Sequence, residues 1–289
     1  MPEAFLTVLF LFINGLIWGL VVALIALGLA LIFGVMGIVN MAHGDLYMAG
    51  AVLAFFLGPM LGDFWLGLLA VPFAIALIAG PIERYVLRPY EGHPAATMIA
   101  TVGISFILQQ LALAFYGGIP KKMDPPWTAS FSLLGVDYPG YRLLVAAVSV
   151  AILVGIWFFL YRSSLGILIR ASIEDRQMAQ AMGINTSRVL VFTFVLGCVL
   201  AAVAGVLAAP VTQVSYLMGT DAALLSFIVV IIGGLGSLAG AVVAALAICS
   251  LEGVLSAILT PVQSKAAIFF LMVIILMLRP RGIFGHGNG

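Results

Sequence analysis

Residues 4–44, AFLTVLFLFINGLIWGLVVALIALGLALIFGVMGIVNMAHG, contain no Asp, Glu, Lys or Arg. A helix crosses the hydrocarbon core of a bilayer with about 20 apolar residues. The stretch is therefore long enough for one tilted span with a re-entrant end, or for a tight hairpin of two shorter helices. Both remain open from the sequence, and both predict that the chain is embedded in a membrane.

The rest of the chain has the same character. Of its 289 residues, 64% are hydrophobic and 8% are charged, whereas soluble domains carry roughly 25% charged residues. Because lipid offers no hydrogen bonds, the spans are expected to be helices. The formal net charge of +1 gives no indication of nucleic-acid binding. The further apolar segments are 46–62, 64–82, 95–116, 142–161, 189–211, 222–234, 238–257 and 262–279.

These segments predict an all-α, polytopic transmembrane bundle of about eight spans, or nine if the short 222–234 segment crosses. Three polar segments, 81–94, 162–188 and the C-terminus, hold eight of the twelve Lys and Arg residues. By the positive-inside rule these segments face the cytoplasm. The segment 117–141 then lies outside, although Lys121 and Lys122 count against that placement.

The segment 162–188 is too polar to lie in lipid, and it predicts a short cytoplasmic helix. Ser172-Ile173-Glu174-Asp175 matches the Ser-x-x-acid pattern of a helix start, and Gly183 suits a left-handed helix end. We therefore predict a helix from Ile173 to Met182, with a second helix start at Asn185.

A helix of this length is marginal in water without packing. Ala171, Met178 and Met182 fall on one face and can supply it. That face packs either against the chain's own spans or against another subunit, and the sequence leaves both open.

Polar residues at membrane depth are candidates for function, because burying them is unfavourable unless they are paired or hydrated. Each has a structural alternative as well. His43, Asp45 and Asp221 suit interfacial loops, Glu252 suits a helix end near the outer surface, and glutamines bond between helices. The residues that we predict along a translocation path are Asn40, His43, Asp45, Gln109 and Glu252.

The run Gly233-Gly234-Leu235-Gly236-Ser237 interrupts an apolar stretch. Such a break indicates either close helix packing or a transport path. We predict that Gly233, Gly234, Gly236 and Ser237 belong to the path and lie near the segment 40–45. His43 and Asp45 are expected at the mouth of this path.

Several kinds of site are missing from the sequence. No Gly-x-x-x-x-Gly-Lys-Ser/Thr loop occurs, and no His or Cys cluster has metal-ligand spacing. Cys198 and Cys249 lie in apolar runs. We therefore expect no catalytic residues, no metal and no cofactor in this chain.

Several short motifs, each weak alone, together cover almost the whole chain and resemble one family. They are similar to the shorter permease subunit of branched-chain amino acid ABC transporters. The motifs are GIVNMAHG at 37–44, ER at 83–84 with RP at 88–89, RA at 170–171 with DRQMA at 175–179, GIN at 183–185, GGLGS at 233–237 and RPRGIFG at 279–285.

The resemblance implies a single permease domain over residues 1–289 that forms half of a path for leucine, isoleucine and valine. It implies a bacterial inner membrane, with lipid around the spans. The implied partners are a homologous second permease subunit, two ATPase subunits that hydrolyse the ATP, and an extracytoplasmic binding protein.

In ABC importers a cytoplasmic helix with the pattern Glu-Ala-Ala-x-x-x-Gly docks on the ATPase. Here Gln177-Met178-Ala179 precedes Gly183 at that spacing, with the first two residues of the pattern replaced. The coupling residues that the resemblance implies are Arg170, Glu174, Asp175, Met178, Ala179 and Gly183.

Three alternatives remain from the sequence: a related importer for urea or short amides, an ion-coupled secondary transporter that uses Asp45 or Glu252, and an uncoupled channel. The 173–182 helix argues against the last two, since neither needs a docking element.

Overall fold

The computed structural model describes residues 2–133 and 136–285. In this part of the chain, eight helices are long and apolar enough to cross a membrane, judged by length and composition. The prediction of an all-α, multi-pass bundle is confirmed.

The spans are joined by connections of very different length, some of which contain shorter helices. The long helices are α1 (Pro2–Met36), α2 (His43–Leu61), α3 (Phe64–Pro81), α4 (Pro94–Tyr116), α5 (Gly140–Arg162), α8 (Thr186–Ala208), α10 (Leu238–Leu255) and α11 (Pro261–Leu278). The shorter helices are α6 (Ser164–Glu174), α7 (Arg176–Ala181) and α9 (Met218–Gly233). A π-helical turn, Ile82–Leu87, extends α3. Two small antiparallel pairs join β1 (Lys121–Lys122) to β4 (Gln213–Val214), and β2 (Ser130–Leu133) to β3 (Val136–Pro139).

The uncharged N-terminal stretch forms one long helix with a re-entrant end. Helix α1 has 35 residues, about 50 Å at 1.5 Å per residue, so it must tilt to fit a bilayer. The chain then reverses at Gly37 (φ +66°). Helix α2 starts beside the middle of α1, where His43 Nε2 lies 2.9 Å from the Ile25 carbonyl oxygen.

Helices α1, α2 and α8 form the centre of the bundle. The apolar span of α1 is 78% buried and that of α8 is 72% buried, against 11% for α4 and for α11. Glycines let the central backbones touch. A Cβ added at Gly28 would lie 2.5 Å from the Gly197 carbonyl oxygen. Small residues at helix crossings are the usual way to pack helices closely in lipid.

The three arginine segments meet at one end of the bundle, which we call the arginine-rich end. Arg176 pairs with Glu91, and Arg88 Nη2 donates to the Ser187 carbonyl oxygen at 2.8 Å. The C-terminal segment returns to the end of α9, where Ile283 N donates to the Ile232 carbonyl oxygen at 2.8 Å.

At the opposite end, Asn14 Oδ1 accepts hydrogen bonds from Tyr138 Oη (2.5 Å) and Arg142 Nη1 (2.6 Å). The 117–141 segment therefore lies across the bundle from the arginine segments, as predicted.

The prediction of one helix from Ile173 to Met182 is wrong. Ser163 caps an earlier start, since its Oγ accepts from Gly166 N at 3.0 Å. Ser172 consequently lies inside α6 and donates to the Leu168 carbonyl oxygen at 2.8 Å. Asp175 is extended (φ −150°) and caps α7 by accepting from Met178 N at 2.9 Å.

Two other local predictions in this segment are confirmed. Gly183 takes the left-handed conformation (φ +83°) after α7. Asn185 caps α8, because its Oδ1 accepts from Arg188 N at 3.2 Å.

Candidate functional site

A cavity of about 420 Å³ lies at the opposite end of the bundle, between α1, α9, α10 and α11. This volume falls within the range of small-molecule sites, roughly 300–1,000 Å³. Three ionisable side chains line it: Asp221 in the first turn of α9, Glu252 in α10 and Lys265 in α11. Lys265 Nζ lies 3.1 Å from Asp221 Oδ1.

The cavity deepens toward the middle of the bundle, and its inner walls are apolar. They include Val22, Ile25, Leu225, Ile228 and Ile268. Ile25, about two-thirds of the way along α1, is the residue whose carbonyl oxygen meets His43. The polar side chains Tyr47, Thr212, Gln213 and Ser215 complete another wall. A few polar groups on a mostly apolar lining are typical of a site for a small organic ligand.

Below the cavity, α1, α9 and α10 pack tightly against one another. This cluster contains Ala26, Leu29, Ala30, Val229 and Ile232, each at most 1% exposed. The cavity is therefore closed toward the arginine-rich end.

A second polar group is buried between α2 and α4. Asp45 is 2% exposed, and its carboxyl group accepts from Ser105 Oγ (2.5 Å) and from Gln109 Nε2 (3.0 Å). Two of the predicted path residues, Asp45 and Gln109, are thus brought together. The geometry is that of an interhelical hydrogen-bond cluster, the structural alternative for Gln109.

His43 and Asn40 are also buried, at 0% and 1% exposure. Since a carbonyl oxygen only accepts, His43 Nε2 must carry the proton that it shares with Ile25. Its Nδ1 and the Asn40 Nδ2 are buried without a hydrogen-bond partner among the described residues. Full burial does not fit the predicted place of His43 and Asp45 at the mouth of a path.

Two separate ion pairs lie at the arginine-rich end. Arg176 of α7 pairs with Glu91, and Arg88 Nε lies 3.9 Å from Glu83 Oε1. Within residues 2–133 and 136–285, the Glu83 carboxyl group has no hydrogen bond although its side chain is only 1% exposed. Arg88 also reaches the start of α8 through Ser187. Helix α7 is therefore tied to the connection that precedes α4, and Gln180 Nε2 ties it to the start of α8 through Thr186 Oγ1.

Residues 11–278 match the sequence family described as "Branched-chain amino acid transport system / permease component". The chain belongs to this family. Among curated relatives, it is 31% identical to the high-affinity branched-chain amino acid transport system permease protein BraD of Pseudomonas aeruginosa, over 95% of this chain and 94% of that protein.

Two further relatives of this chain are also named as branched-chain amino acid transport permeases. It is 31% identical to the permease protein LivH of Escherichia coli K12, over 99% of this chain and 98% of LivH. It is 28% identical to the probable branched-chain amino acid transport permease protein LivH of Methanocaldococcus jannaschii, over 94% of this chain and 91% of that protein.

The sequence predicts that the segments 40–45 and 233–237 lie near each other. For Asp45, at the end of the first segment, this prediction is wrong. Gly44 and Asp45 pack against Gly219, in the first turn of α9. Gly233 lies at the other end of that helix, 14 residues later, which is about 21 Å.

The glycine break itself serves backbone packing. A Cβ on Gly233 would lie 2.5 Å from the Gly240 carbonyl, and Gly234 (φ +102°) abuts Gly285 and Phe284. Gly236 (φ +86°) faces Gly34 of α1, and Ser237 caps α10 by accepting from Gly240 N at 3.1 Å. The segment 233–237 thus packs closely through its small residues. Its role in a translocation path stays a prediction.

The predicted coupling residues cluster at the arginine-rich end, but they play different structural parts. Arg170 Nε donates to the Leu160 carbonyl oxygen at 3.0 Å and stacks over Tyr161. Ala179 is 3% exposed, whereas Met178 and Met182 are 58% and 78% exposed. Glu174 and Asp175 are exposed at the break between the two helices.

Of the cavity's charged residues, the sequence singled out Asp221 and Glu252 but missed Lys265. A lysine near a span end is ordinarily taken as a side chain that reaches for the interface. Its spatial pairing with Asp221, 44 residues away, has no signal in local sequence.

Proposed function

We propose that this chain is a permease subunit of an ATP-driven importer and forms half of its path for leucine, isoleucine and valine. The importer sits in the bacterial inner membrane. It contains a homologous second permease subunit and two ATPase subunits, and it receives substrate from an extracytoplasmic binding protein. The whole chain, residues 1–289, acts as one permease domain.

The observation that carries the proposal is family membership over nearly the whole chain, together with relatives named as branched-chain amino acid permeases. The matches extend from end to end and so include both the spans and the polar segments between them. A shared fold alone would not specify a substrate, but the three relatives described above are all named for branched-chain amino acids.

The surface of α7 supports a partner at the arginine-rich end. Met178 and Met182 are four residues apart, so they lie on one side of the chain as it leaves this helix, and both are exposed. Two large apolar side chains among charged groups favour a protein partner over water. Methionines suit such contacts because they are flexible and polarisable.

The local bonds of α7 explain how so short a helix can transmit force. Its start is capped by Asp175, and Gln180 Nε2 donates to Thr186 Oγ1 at 2.9 Å at the start of α8. Arg176 fixes it to Glu91. A displacement of α7 would therefore also move the connections that precede α4 and α8. A permease driven by an ATPase requires such a mechanical link between the docking helix and its spans.

The coupling role predicts that Met178→Asp with Met182→Asp abolishes both uptake and copurification with the ATPase subunits. A charge at both positions removes the apolar contact while α7 keeps its cap and its ion pair. Met60→Asp is the matched control, because Met60 is 81% exposed at the opposite end of the bundle. Normal uptake and copurification in the double variant would contradict the docking role of α7.

A further inference from the structure

The cavity holds a combination of groups that the family description does not explain. One cation, Lys265, and two carboxylates, Asp221 and Glu252, border a pocket with apolar inner walls. Three charged side chains would not favour binding of a purely apolar molecule. Apolar walls would not favour binding of an inorganic ion.

An amino acid zwitterion matches both halves of this lining. Its carboxylate complements an ammonium group, its ammonium complements a carboxylate, and a branched aliphatic side chain suits Val22, Ile25 and Ile228. The rim has two carboxylates and one ammonium group, so one carboxylate is left without a cationic partner when the other pairs with Lys265. A ligand that brings both a positive and a negative group restores the balance.

The existing ion pair does not block such a ligand. Lys265 and Asp221 have side chains that are 54% and 75% exposed, and exposed ion pairs contribute little to stability. Lys265 can therefore exchange Asp221 for a ligand carboxylate without loss of folded structure. Glu252 is less exposed and has no hydrogen bond or ion pair at its carboxyl group among the contacts of the described chain.

We propose that this cavity is an outer binding site for an α-amino acid with an aliphatic side chain. Lys265 receives the carboxylate, Glu252 receives the ammonium group, and Asp221 holds Lys265 in place while the site is empty. The identity of the side chain rests on the proposed function, whereas the recognition of the zwitterion rests on the cavity alone.

Cysteine protection tests the site directly. In a Cys198→Ala, Cys249→Ala background, Leu224→Cys places a thiol on the cavity lining, where Leu224 is 48% exposed. The assembled transporter is placed in nanodiscs without the binding protein and labelled with a water-soluble maleimide. Leucine should slow labelling by the factor 1 + [L]/Kd, about elevenfold at ten times Kd. Met60→Cys, outside the cavity, should be labelled at one rate with or without leucine.

The two head groups can be tested one at a time. 4-Methylpentanoate lacks the ammonium group and leucinamide lacks the carboxylate, so each should protect less than leucine. Lys265→Met and Glu252→Gln should each abolish protection by leucine, whereas Lys265→Arg should retain most of it. Because Lys265 and Glu252 are partly exposed at the rim, membrane levels of the variants should equal those of the parent.

Full protection by leucine in both Lys265→Met and Glu252→Gln would overturn the assignment. So would absence of protection in the parent if the same transporter accumulates leucine with ATP, and the proposed function would then stand alone. Conversely, protection by leucine in a transporter that accumulates no branched-chain amino acid would support the site and defeat the proposed function.

Discussion

Asp45 and Asp221 occupy equivalent places in their helices but have opposite environments. Each lies in the first turn of a helix, α2 or α9, and the two helix starts touch through Gly44 and Gly219. Asp45 is 2% exposed and accepts two hydrogen bonds. The Asp221 side chain is 75% exposed and pairs only with Lys265 among the described contacts.

The difference shows that two carboxylates at equivalent places in their helices can have different surroundings, one inside a hydrogen-bond cluster and one at the rim of a cavity. Asp45 is already satisfied by Ser105 and Gln109, so its place is explained by holding α2 against α4. Asp221 borders a cavity and can change partners. We assign a structural role to Asp45 and a ligand-binding role to the cavity rim that contains Asp221.

The largest effect is expected from separating the two helix starts. A Cβ on Gly44 would lie 2.0 Å from the Gly219 carbonyl oxygen, so Gly44→Val should prevent correct folding. The loss of folding free energy should exceed the ~1–3 kcal/mol typical of overpacking, because backbone atoms cannot rotate away from the added group as a side chain can. Little folded protein should be recovered on gel filtration in detergent. Gly103→Ala is the control and should fold normally, because the added Cβ would have no atom within 4 Å in the described chain beyond its own helix backbone.

A smaller loss of stability is expected when Asp45 is replaced by Leu. Ser105 and Gln109 then lose their acceptor inside the bundle, and an unsatisfied buried polar group costs about 1–3 kcal/mol. Thermal unfolding in detergent should show a lowered Tm, with leucine protection of Leu224→Cys retained. Loss of protection at an unchanged Tm would move Asp45 from the structural role to the ligand site.

The smallest effect is expected for Asp221→Asn. An exposed ion pair contributes only ~0.2–1 kcal/mol, so Tm should hardly change. Freed from Asp221, Lys265 should bind a leucine carboxylate more readily. The half-protecting leucine concentration should fall, by about fivefold at most on that scale. A large rise in that concentration would show that Asp221, not Glu252, contacts the ammonium group.

The sequence predicted the fold class and its two ends, because uncharged runs and arginine clusters follow directly from the properties of lipid. It did not predict the short helices at the arginine-rich end correctly. Ser163 and Ser172 are both plausible caps, and only the packing of α6 selects the first. The contact of Asp45 with Gly219 depends on the re-entrant start of α2, which the uncharged stretch left undecided.

The candidate site was predicted only in part. Asp221 and Glu252 stood out as ionisable residues in apolar surroundings, whereas Lys265 and Tyr47 join them only through tertiary packing. Conversely, Asn40, His43 and Asp45 attracted attention for their polarity but are fully buried. Sequence shows which polar groups are present, and packing decides which of them meet water.

The proposed function of this chain is the import of branched-chain amino acids with energy from ATP hydrolysed on partner subunits. The most direct measurement is uptake of labelled leucine into liposomes that contain the assembled transporter, with no ion gradient. Addition of ATP on the arginine-rich side and of the binding protein on the other side should produce accumulation, and omission of either should stop it. Unlabelled isoleucine and valine should compete, whereas urea and short amides should not. Accumulation by this chain alone, driven by a proton or sodium gradient without ATP, would contradict the account.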